Sequence, residues 1–429
     1  MDADLARQIA SSFDLRALPA EFLANPYPVY AALRENDPVR LMPDGSYLLT
    51  RHADLMAVYR DAATFSSDKK AEFTPKYGAG SALLAHHTTS LVFNDPPLHT
   101  RVRKLIMGAL TRRAIAHMEG GLVTLVDSLL DRIAQQGGGD LIEDFAAAIP
   151  VEVIGNLLNI PHADRAPLRA WSLAILGALE PKLTAQQEAA GNQAVHAFGD
   201  YLKHLIAQRR AHPGNPEHDV LTRLIQGDTA ALGVGRADAA PEALSEAELL
   251  HNCIFILNAG HETTTNLIGN ALVALQAWPD QKALLLSNMQ LLEQKILGLP
   301  AYLDTAVDEF LRFEPSNQLG NRRALRDCTV GGVDLKAGSL ITLCIAAANR
   351  DPAVFEQPDT LNIERANNKH LSFGFGIHQC AGLSLARLEG RIAIGRFVQR
   401  FPDFRLTAEP VRGGRARFRG FLSASFLAN

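Results

Sequence analysis

The residue with the clearest chemical potential is Cys380, which lies in a glycine-punctuated loop near the C-terminal end of the chain. Glycine has no Cβ, so its backbone can turn tightly and approach a flat partner closely. A helix-forming run from Leu383 to Phe397 follows the loop, and amides ahead of a helix N-terminus stabilise a thiolate through hydrogen bonds and the helix dipole. Cys380 is therefore a candidate anionic metal ligand, whereas an arbitrary intracellular cysteine is usually a small buried hydrophobe.

The ten residues around this cysteine follow the pattern Phe-Gly-x-Gly-x-His-x-Cys-x-Gly. Its fixed positions are filled by Phe373, Gly374, Gly376, His378, Cys380 and Gly382. The loop resembles the haem-binding loop of the cytochrome P450 family, the haem-thiolate monooxygenases. The resemblance implies a haem b cofactor (heme b, iron protoporphyrin IX) with the Cys380 thiolate as axial iron ligand. It also implies cofactor contacts from Phe373, Gly374, His378 and Gly382.

A long predicted helix contains a polar stretch, which is the second candidate site after the cysteine loop. The capping box Ser245-Glu246-Ala247-Glu248 starts this helix, an apolar run follows, and the polar stretch from Asn258 to Thr264 interrupts it. Polar groups in apolar surroundings are costly unless they have partners, so this interruption indicates a function. Its His-Glu pair also resembles the start of a zinc-protease helix, but Thr265 stands where the second histidine is required, which excludes that zinc site.

Phe255, Ala259 and Thr263 recur every four residues, so they share one face of that helix. The small residues Ala259 and Gly260 leave room beside this face for a ligand. The stretch contains the Ala-Gly-x-Glu-Thr-Thr signature of the P450 family, and the resemblance implies that Ala259 and Gly260 border the haem. Thr263 and Glu262 are then the candidates for delivering protons during dioxygen activation, although a helical threonine hydroxyl more often bonds a carbonyl one turn earlier.

Candidate ligands for the two haem propionates lie in a helix that begins after Asp95-Pro96-Pro97. His99 and Arg103 are four residues apart on one face of it and could donate charge-assisted hydrogen bonds to carboxylates. On their own they would be an ordinary basic face, but they match the family's propionate-binding helix. The resemblance adds Arg322 and His378 to this set. Nearby positive charge, expected to help dock an acidic electron-transfer partner, comes from Lys104, Arg112 and Arg113.

Three further residues are expected to stabilise the scaffold behind the haem. Glu309 and Arg312 are an acid and a base three positions apart on a helix. As an isolated surface pair they would contribute little. Their spacing matches the Glu-x-x-Arg of the P450 family, whose third member would be Arg365.

The substrate contacts are predicted from position alone. Residues 66–93 lack clear periodicity and are interpreted as a long, partly ordered loop, and the resemblance implies that this loop covers the pocket. Its two histidines are candidate contacts with a polar substrate, or merely exposed and solvated. Asn258 is expected to hydrogen-bond a hydroxyl, carbonyl or carboxylate of the ligand, with a bond to backbone or a neighbouring helix as the alternative. The full set of candidate pocket residues is His86, His87, Phe255, Asn258, Gln318 and Leu319.

The remaining elements follow from apolar periodicity and from turn signals. A helix is expected from Asn25 to Arg34, a hairpin from Pro38 to Thr50 and a helix from Ala53 to Asp61. Further predicted helices are Ile115–Ile133, Phe145–Leu158, Ala166–Leu179 and Ala185–Ala211. Short strands are expected at Val330–Val333 and Leu340–Ile345, a flexible loop at Gly227–Pro241, and additional length between Pro279 and Pro300.

Composition narrows the class of protein. The chain has 429 residues, 42 basic and 46 acidic side chains and a formal charge of -4, which argues against a nucleic-acid surface. Its four cysteines lie far apart without CxxC spacing, which indicates neither a zinc site nor a disulfide framework. The first 24 residues lack a basic start followed by an apolar core, so no signal peptide is expected, and they contain nothing like the roughly 20 continuous apolar residues of a membrane span. A cytoplasmic protein that binds no membrane is expected.

The resemblance covers the chain from Asn25 to Phe404. It implies a mainly α fold with small β-sheets and the haem between the long central helix and the cysteine loop. No linker divides the chain, so one domain is expected over residues 1–429, with a small β-rich N-terminal lobe at about 25–65.

Together the motifs predict a bacterial-type monooxygenase that activates O2 and hydroxylates, dealkylates or epoxidises a small organic molecule. No flavin or iron–sulfur pattern is fused to the chain, so two electrons would come from a separate ferredoxin or flavodoxin with its NAD(P)H-dependent reductase. A monomer is expected. One alternative is a peroxide-using haem-thiolate enzyme, which would turn over with hydrogen peroxide and tolerate Thr263→Ala. The other is a non-catalytic haem-binding or gas-sensing protein, which would show no substrate-dependent NAD(P)H consumption.

Overall fold

The computed structural model describes residues 2–216, 219–227, 244–293 and 301–428. The architecture is mainly α-helical with small β-sheets, which confirms the predicted fold class. The helices are α1 (Ala3–Ser12), α2 (Ala20–Ala24), α3 (Tyr27–Asn36), α4 (His52–Arg60), α5 (Lys70–Tyr77), α6 (Ala82–Thr89), α7 (Leu98–Ala109), α8 (Arg112–Gln136), α9 (Ala148–Leu157), α10 (Leu168–Gly177), α11 (Ala185–Ala211), α12 (Val220–Gln226), α13 (Glu246–Ala277), α14 (Pro279–Glu293), α15 (Ala301–Phe313), α16 (Ile345–Ala348) and α17 (Leu383–Arg400).

The described residues also form short β-strands. They are β1 (Val39–Leu41), β2 (Tyr47–Leu49), β3 (Phe65–Ser66), β4 (Gly138–Asp140), β5 (Leu319–Ala324), β6 (Cys328–Val330), β7 (Val333–Leu335), β8 (Leu340–Cys344), β9 (Arg405–Leu406), β10 (Val411–Arg412), β11 (Phe421–Ser423) and β12 (Ser425–Leu427). No helix among the described residues is both long enough and apolar enough to cross a membrane.

The chain divides into two compact units. The first comprises Met1–Ser66, Gly121–Ile149 and Thr263–Asn429. Its largest sheet has the strand order β1-β2-β8-β5-β3, in which β1 pairs antiparallel with β2 as the predicted hairpin requires. β2 continues parallel to β8, and β8 pairs antiparallel with β5. The β-rich part is therefore not confined to residues 25–65, because β5 and β8 come from much later in the chain.

Strand β6 and strand β7 correct one detail of the prediction. The segment Val330–Val333 is not one strand, because its two valines face each other across an antiparallel pair. The intervening Gly331 and Gly332 have φ of 58° and 83°, and a two-residue hairpin turn of type I′ needs positive φ at both central positions. Glycine meets that need, so the chain reverses where the apolar pattern alone indicated continuity.

The second unit comprises Ser67–Gly120 and Pro150–Glu262. Here the predicted loop over residues 66–93 is wrong, since the segment contains α5, α6 and a 3-10 turn at Leu91–Phe93. Helix α6 begins after Ser81, whose hydroxyl accepts the Leu84 amide hydrogen. Pro75 inside α5 and the Ser, Thr and His content of α6 mask the apolar spacing on which the prediction relied.

Several helices match their predicted positions. Helix α11 has the predicted bounds, with a capping box between Thr184 and Gln187. The predicted capping box of α13 is also formed, since Ser245 and Glu248 exchange hydrogen bonds of 2.8 and 3.3 Å. The flexible loop predicted at Gly227–Pro241 lies outside the described residues beyond Gly227, and of the segment between Pro279 and Pro300 only α14 is described.

Candidate functional site

The cysteine loop is closed by its own backbone hydrogen bonds. The Cys380 amide donates to the Phe373 carbonyl at 2.8 Å, and the Gly374 amide donates to Leu371 at 2.8 Å. Gly374 and Gly376 have φ of 63° and 73°, a region that residues with a Cβ rarely adopt. The loop thus returns on itself and places Cys380 just before the N-terminus of α17.

Gly376 is needed for a second reason. A Cβ at this position would lie 2.4 Å from the Tyr59 carbonyl oxygen, at the end of α4. At Gly374 the nearest atoms to an added Cβ are 3.8 Å or more away, and two of them belong to the Tyr59 ring. The sequence motif contains no residue of α4, so Tyr59 was not among the predicted site residues.

The four cysteines differ in their fitness as thiolate ligands. Cys253 and Cys344 are fully buried, and burial raises the pKa of each thiol to about 12. The pKa of Cys328, on β6, is also raised, first by burial and then by Asp327. Cys380 is the one that keeps accessible surface ahead of a helix N-terminus. The donor set therefore fits a thiolate-ligated haem at Cys380.

Helix α13 is not broken by its polar stretch. Between Cys253 and Asn270 most residues are buried, and the accessible ones are Phe255, Ile256, Ala259, Gly260 and Thr263. They form one stripe with a spacing of four, and Ala259 is the most exposed of them. This stripe has small residues at its centre, as a flat ligand requires. Gly260 also accommodates α9, because a Cβ there would lie 2.5 Å from Cδ1 of Ile154.

The other polar residues of α13 are buried. Glu262 is 3% exposed and His261 is 1% exposed. Burial, assisted by the charge of Arg169, lowers the pKa of His261 to about 3. Asn258 is 2% exposed, and neither its Oδ1 nor its Nδ2 has a hydrogen-bond partner among the described residues.

The predicted propionate ligands are distributed over both units. In the second unit, His99 and Arg103 lie one turn apart on α7, with His99 2% exposed and Arg103 half-buried. In the first unit, Arg322 lies on β5 and its guanidinium carbon is 5.3 Å from the centroid of the Tyr59 ring. His378 is half-buried in the 3-10 turn of the cysteine loop. The charges assigned to partner docking, Lys104, Arg112 and Arg113, are exposed.

The structure brings Glu309, Arg312 and Arg365 together. Arg312 Nε and Nη2 donate to the two carboxylate oxygens of Glu309 at 2.8 Å each. Arg365 Nε donates to Glu309 Oε2 at 3.0 Å. Further donors to the same carboxylate are the Asn362 amide and the Asn368 side chain, and Arg312 also binds the carbonyls of Asn349, Pro358 and Thr360.

The prediction that His86 and His87 are exposed loop residues is wrong. Both lie on α6 and are 2% exposed. Ring centroids of His86 and His251 are 5.7 Å apart, and His87 packs against Phe73 and Tyr77. Burial holds the pKa of His86 well below its usual value and lowers that of His251 to about 4. These aromatic contacts join segments distant in sequence, which local periodicity does not reveal.

Gln318 and Leu319 are both fully buried. Leu319 packs in a core with Phe22 and Leu33, near the start of the chain. This location argues against the substrate contact predicted for Leu319. Gln318 donates from Nε2 to the Pro315 carbonyl at 2.6 Å, while its Oε1 is buried without a partner among the described residues.

Comparison with known proteins agrees with these features. The family model for cytochrome P450 matches residues 174–410. The vitamin D(3) 25-hydroxylase of Pseudonocardia autotrophica is 37% identical over 396 residues, which cover 90% of this chain and 88% of that protein. The chain belongs to the cytochrome P450 family. P450 monooxygenase PikC of Streptomyces venezuelae is 35% identical over 404 residues, which cover 92% of this chain and 89% of that protein.

A solved P450 structure supports the same assignment. The crystal structure of P450BioI in complex with hexadec-9Z-enoic acid ligated acyl carrier protein matches with a TM-score of 0.84 and 30% identity, covering 96% of this chain and all of that one. The predicted family, fold and enzyme class are therefore confirmed. As a P450, the chain is a haem-thiolate monooxygenase that acts on small molecules with electrons from a redox partner.

Proposed function

We propose that this P450 uses haem b, which the Cys380 thiolate would hold, to insert one oxygen atom of O2 into a small organic substrate that carries a hydrogen-bonding group. The observation that carries the assignment is the closed loop that presents an accessible Cys380 at the N-terminus of α17. Haem with a thiolate ligand supplies dioxygen activation, because the sulfur donates electron density that favours O–O cleavage.

The groups proposed to hold the cofactor come from several elements of the chain. His99, Arg103, Arg322 and His378 are proposed to donate to the propionates. Phe373, Gly374 and Gly382 would border the haem on the thiolate side. Ala259 and Gly260, in the accessible stripe of α13, would also border the haem because they leave room beside the helix.

Proton delivery is assigned to neighbouring residues of α13. Thr263 keeps accessible surface, whereas Glu262 is buried. A hydroxyl can donate a proton to a reacting oxygen and recover it from a carboxylate, which in turn exchanges with solvent. The backbone carbonyl of Thr263 accepts a 2.7 Å hydrogen bond from Ser316 Oγ. That bond fixes the turn of helix from which the threonine hydroxyl projects.

The electron donor is proposed to be a ferredoxin or a flavodoxin. Lys104, in the middle of α7, and Arg112 and Arg113, at the start of α8, are exposed. Opposite charge on a partner would raise its association rate, and this contribution falls with ionic strength. A charge-reversing variant of the three residues should therefore weaken reduction by an acidic ferredoxin most at low salt.

Asn258 supports the polar character of the substrate. Its amide is buried with neither polar atom paired among the described residues, and an unpaired buried polar group costs about 1–3 kcal/mol. A substrate hydroxyl, carbonyl or carboxylate would recover that cost on binding. Asn258 is also next to Ala259, the most exposed residue of the stripe.

The decisive experiment is a screen of small molecules for changes in the haem absorption spectrum of the purified holoenzyme, followed by turnover of the hits with ferredoxin, reductase and NADPH. We expect hits with a hydrogen-bonding group, an oxygenated product and loss of the thiolate-type ferrous–CO spectrum in Cys380→Ser. A Cys380→Ser protein with an unchanged ferrous–CO spectrum would disprove the assignment of Cys380 as the thiolate ligand. NADPH use that no hit accelerates would disprove the proposed substrate class.

A further inference from the structure

Tyr59 contacts two segments that the proposed function places at the haem. It is the penultimate residue of α4 and is 7% exposed. One side of the residue meets the cysteine loop, and the other meets strand β5, which carries Arg322. The two segments are about fifty residues apart in sequence, and Tyr59 touches both.

The contact with the cysteine loop is tight at Gly376 and looser at Gly374. A Cβ at Gly376 would lie 2.4 Å from the Tyr59 carbonyl oxygen, and one at Gly374 would lie 3.9 Å from ring atom Cε1. The next residue of α4 continues the contact, since the Arg60 guanidinium is 5.6 Å from the ring centroid of Phe375. The last two residues of α4 therefore pack against three consecutive loop residues, Gly374 to Gly376.

Tyr59 contacts two residues of β5: its ring faces the Arg322 guanidinium, and its hydroxyl lies close to Gly320. The Arg322 guanidinium carbon lies 5.3 Å from the Tyr59 ring centroid, within the range of a cation–π interaction. The Tyr59 hydroxyl would be 3.2 Å from a Cβ at Gly320, and Gly320 and Arg322 share one face of the strand. Burial raises the pKa of the Tyr59 phenol, so the ring faces Arg322 as a neutral aromatic.

We propose that Tyr59 is a positioning residue, which holds the Arg322 guanidinium at a fixed place relative to the Cys380 loop. An arginine side chain has several rotatable bonds and loses entropy when it is fixed for one hydrogen-bonding geometry. An aromatic face that already attracts the guanidinium reduces that loss when a propionate binds. The inference rests on the propionate role of Arg322 in the proposed function and adds the residue that orients it.

The test varies the electrostatics of the ring at nearly constant shape. Tyr59 is replaced by phenylalanine, by pentafluorophenylalanine through codon suppression, and by leucine. The rate of haem loss from each holoenzyme to an excess of a haem-scavenging protein is measured. The phenylalanine variant should lose haem as slowly as the wild type. The pentafluorophenylalanine variant should lose haem about two- to fivefold faster, because fluorination removes the attraction of the ring for the Arg322 guanidinium. Equal rates for the phenylalanine and pentafluorophenylalanine proteins would overturn the inference, even if the leucine variant does not fold.

Two controls separate this role from packing and from the proposed function. Tyr47→Leu removes a partly buried tyrosine that packs against the same core but that should leave the haem-loss rate unchanged. In an Arg322→Gln background the two ring variants should lose haem equally, because no cation remains. Unchanged haem loss in Arg322→Gln alone would overturn both the propionate role and this inference. Faster loss in Arg322→Gln with no effect of ring fluorination would overturn only the role of Tyr59.

Discussion

Arg312 donates two 2.8 Å hydrogen bonds to the carboxylate of Glu309, and neither side chain has exposed surface. Removing one partner of a buried ion pair is strongly destabilising, because it leaves an uncompensated charge away from water. Arg365 reaches the same carboxylate from a side chain that is 10% exposed, so water can replace part of its contribution.

The first prediction concerns this cluster. Glu309→Gln should lower the free energy of unfolding by about 3–5 kcal/mol, since two arginines lose their counter-charge. Arg365→Ala should cost less, because Arg312 still pairs with Glu309. Denaturant unfolding of the holoenzymes measures both changes. A Glu309→Gln protein as stable as the wild type would contradict the structural role of the cluster.

The second prediction concerns two asparagines of α13. Asn252 is satisfied, since it accepts from the Leu91 amide at 3.0 Å and donates to the Glu248 carbonyl at 2.7 Å. Asn252→Leu should therefore lower stability by about 1–3 kcal/mol. Asn258→Leu should leave stability unchanged or raise it, yet weaken binding of polar substrates about tenfold. Spectral titration and thermal unfolding separate the two effects. Unchanged substrate affinity in Asn258→Leu would refute the contact.

The third prediction concerns proton delivery. Thr263→Ala should reduce the oxygenated product formed per NADPH consumed by about tenfold or more, because general acid catalysis commonly contributes at least that much. Glu262→Gln should slow turnover for the same reason. Thr264→Ala, at a neighbouring threonine that is 3% exposed, is the matched control and should retain coupling. Full coupling in Thr263→Ala, or full turnover with hydrogen peroxide alone, would support the peroxide-using alternative.

The fourth prediction concerns acid stability. The pKa of His261 is lowered to about 3 by burial and by Arg169, whereas an unfolded histidine titrates near 6.5. The unfolded state therefore takes up a proton first as the pH falls below about 6.5, and the folded state loses up to about 1.4 kcal/mol of stability per pH unit from this group. His261→Gln should show a shallower loss between about pH 6 and 4.5. Parallel pH profiles for the two proteins would contradict this assignment.

The fifth prediction compares two glycines of the cysteine loop. Both Gly374 and Gly376 have positive φ, so alanine at either costs about 1–2 kcal/mol of backbone strain. Only Gly376→Ala adds a clash, because its Cβ would lie 2.4 Å from the Tyr59 carbonyl oxygen. Haem content and the ferrous–CO spectrum after purification should be impaired more in Gly376→Ala than in Gly374→Ala. Equal impairment would show that strain alone matters.

The sequence by itself determined the family, the cofactor class and the main helices. The cysteine loop and the Ala-Gly-x-Glu-Thr-Thr stretch are short motifs whose chemistry depends on adjacent residues, so they can be interpreted without a fold. The start of α13 was predicted from its capping box, because capping is also local, and the bounds of α11 were predicted from its apolar periodicity.

The tertiary structure decided which side chains are buried and which distant segments meet. It placed His86 and His87 in a buried aromatic cluster and Leu319 in a core with the N-terminal helices. It also placed Tyr59 between the Cys380 loop and Arg322. These relationships depend on packing between residues tens to hundreds of positions apart, and local periodicity contains no information about which such segments come into contact.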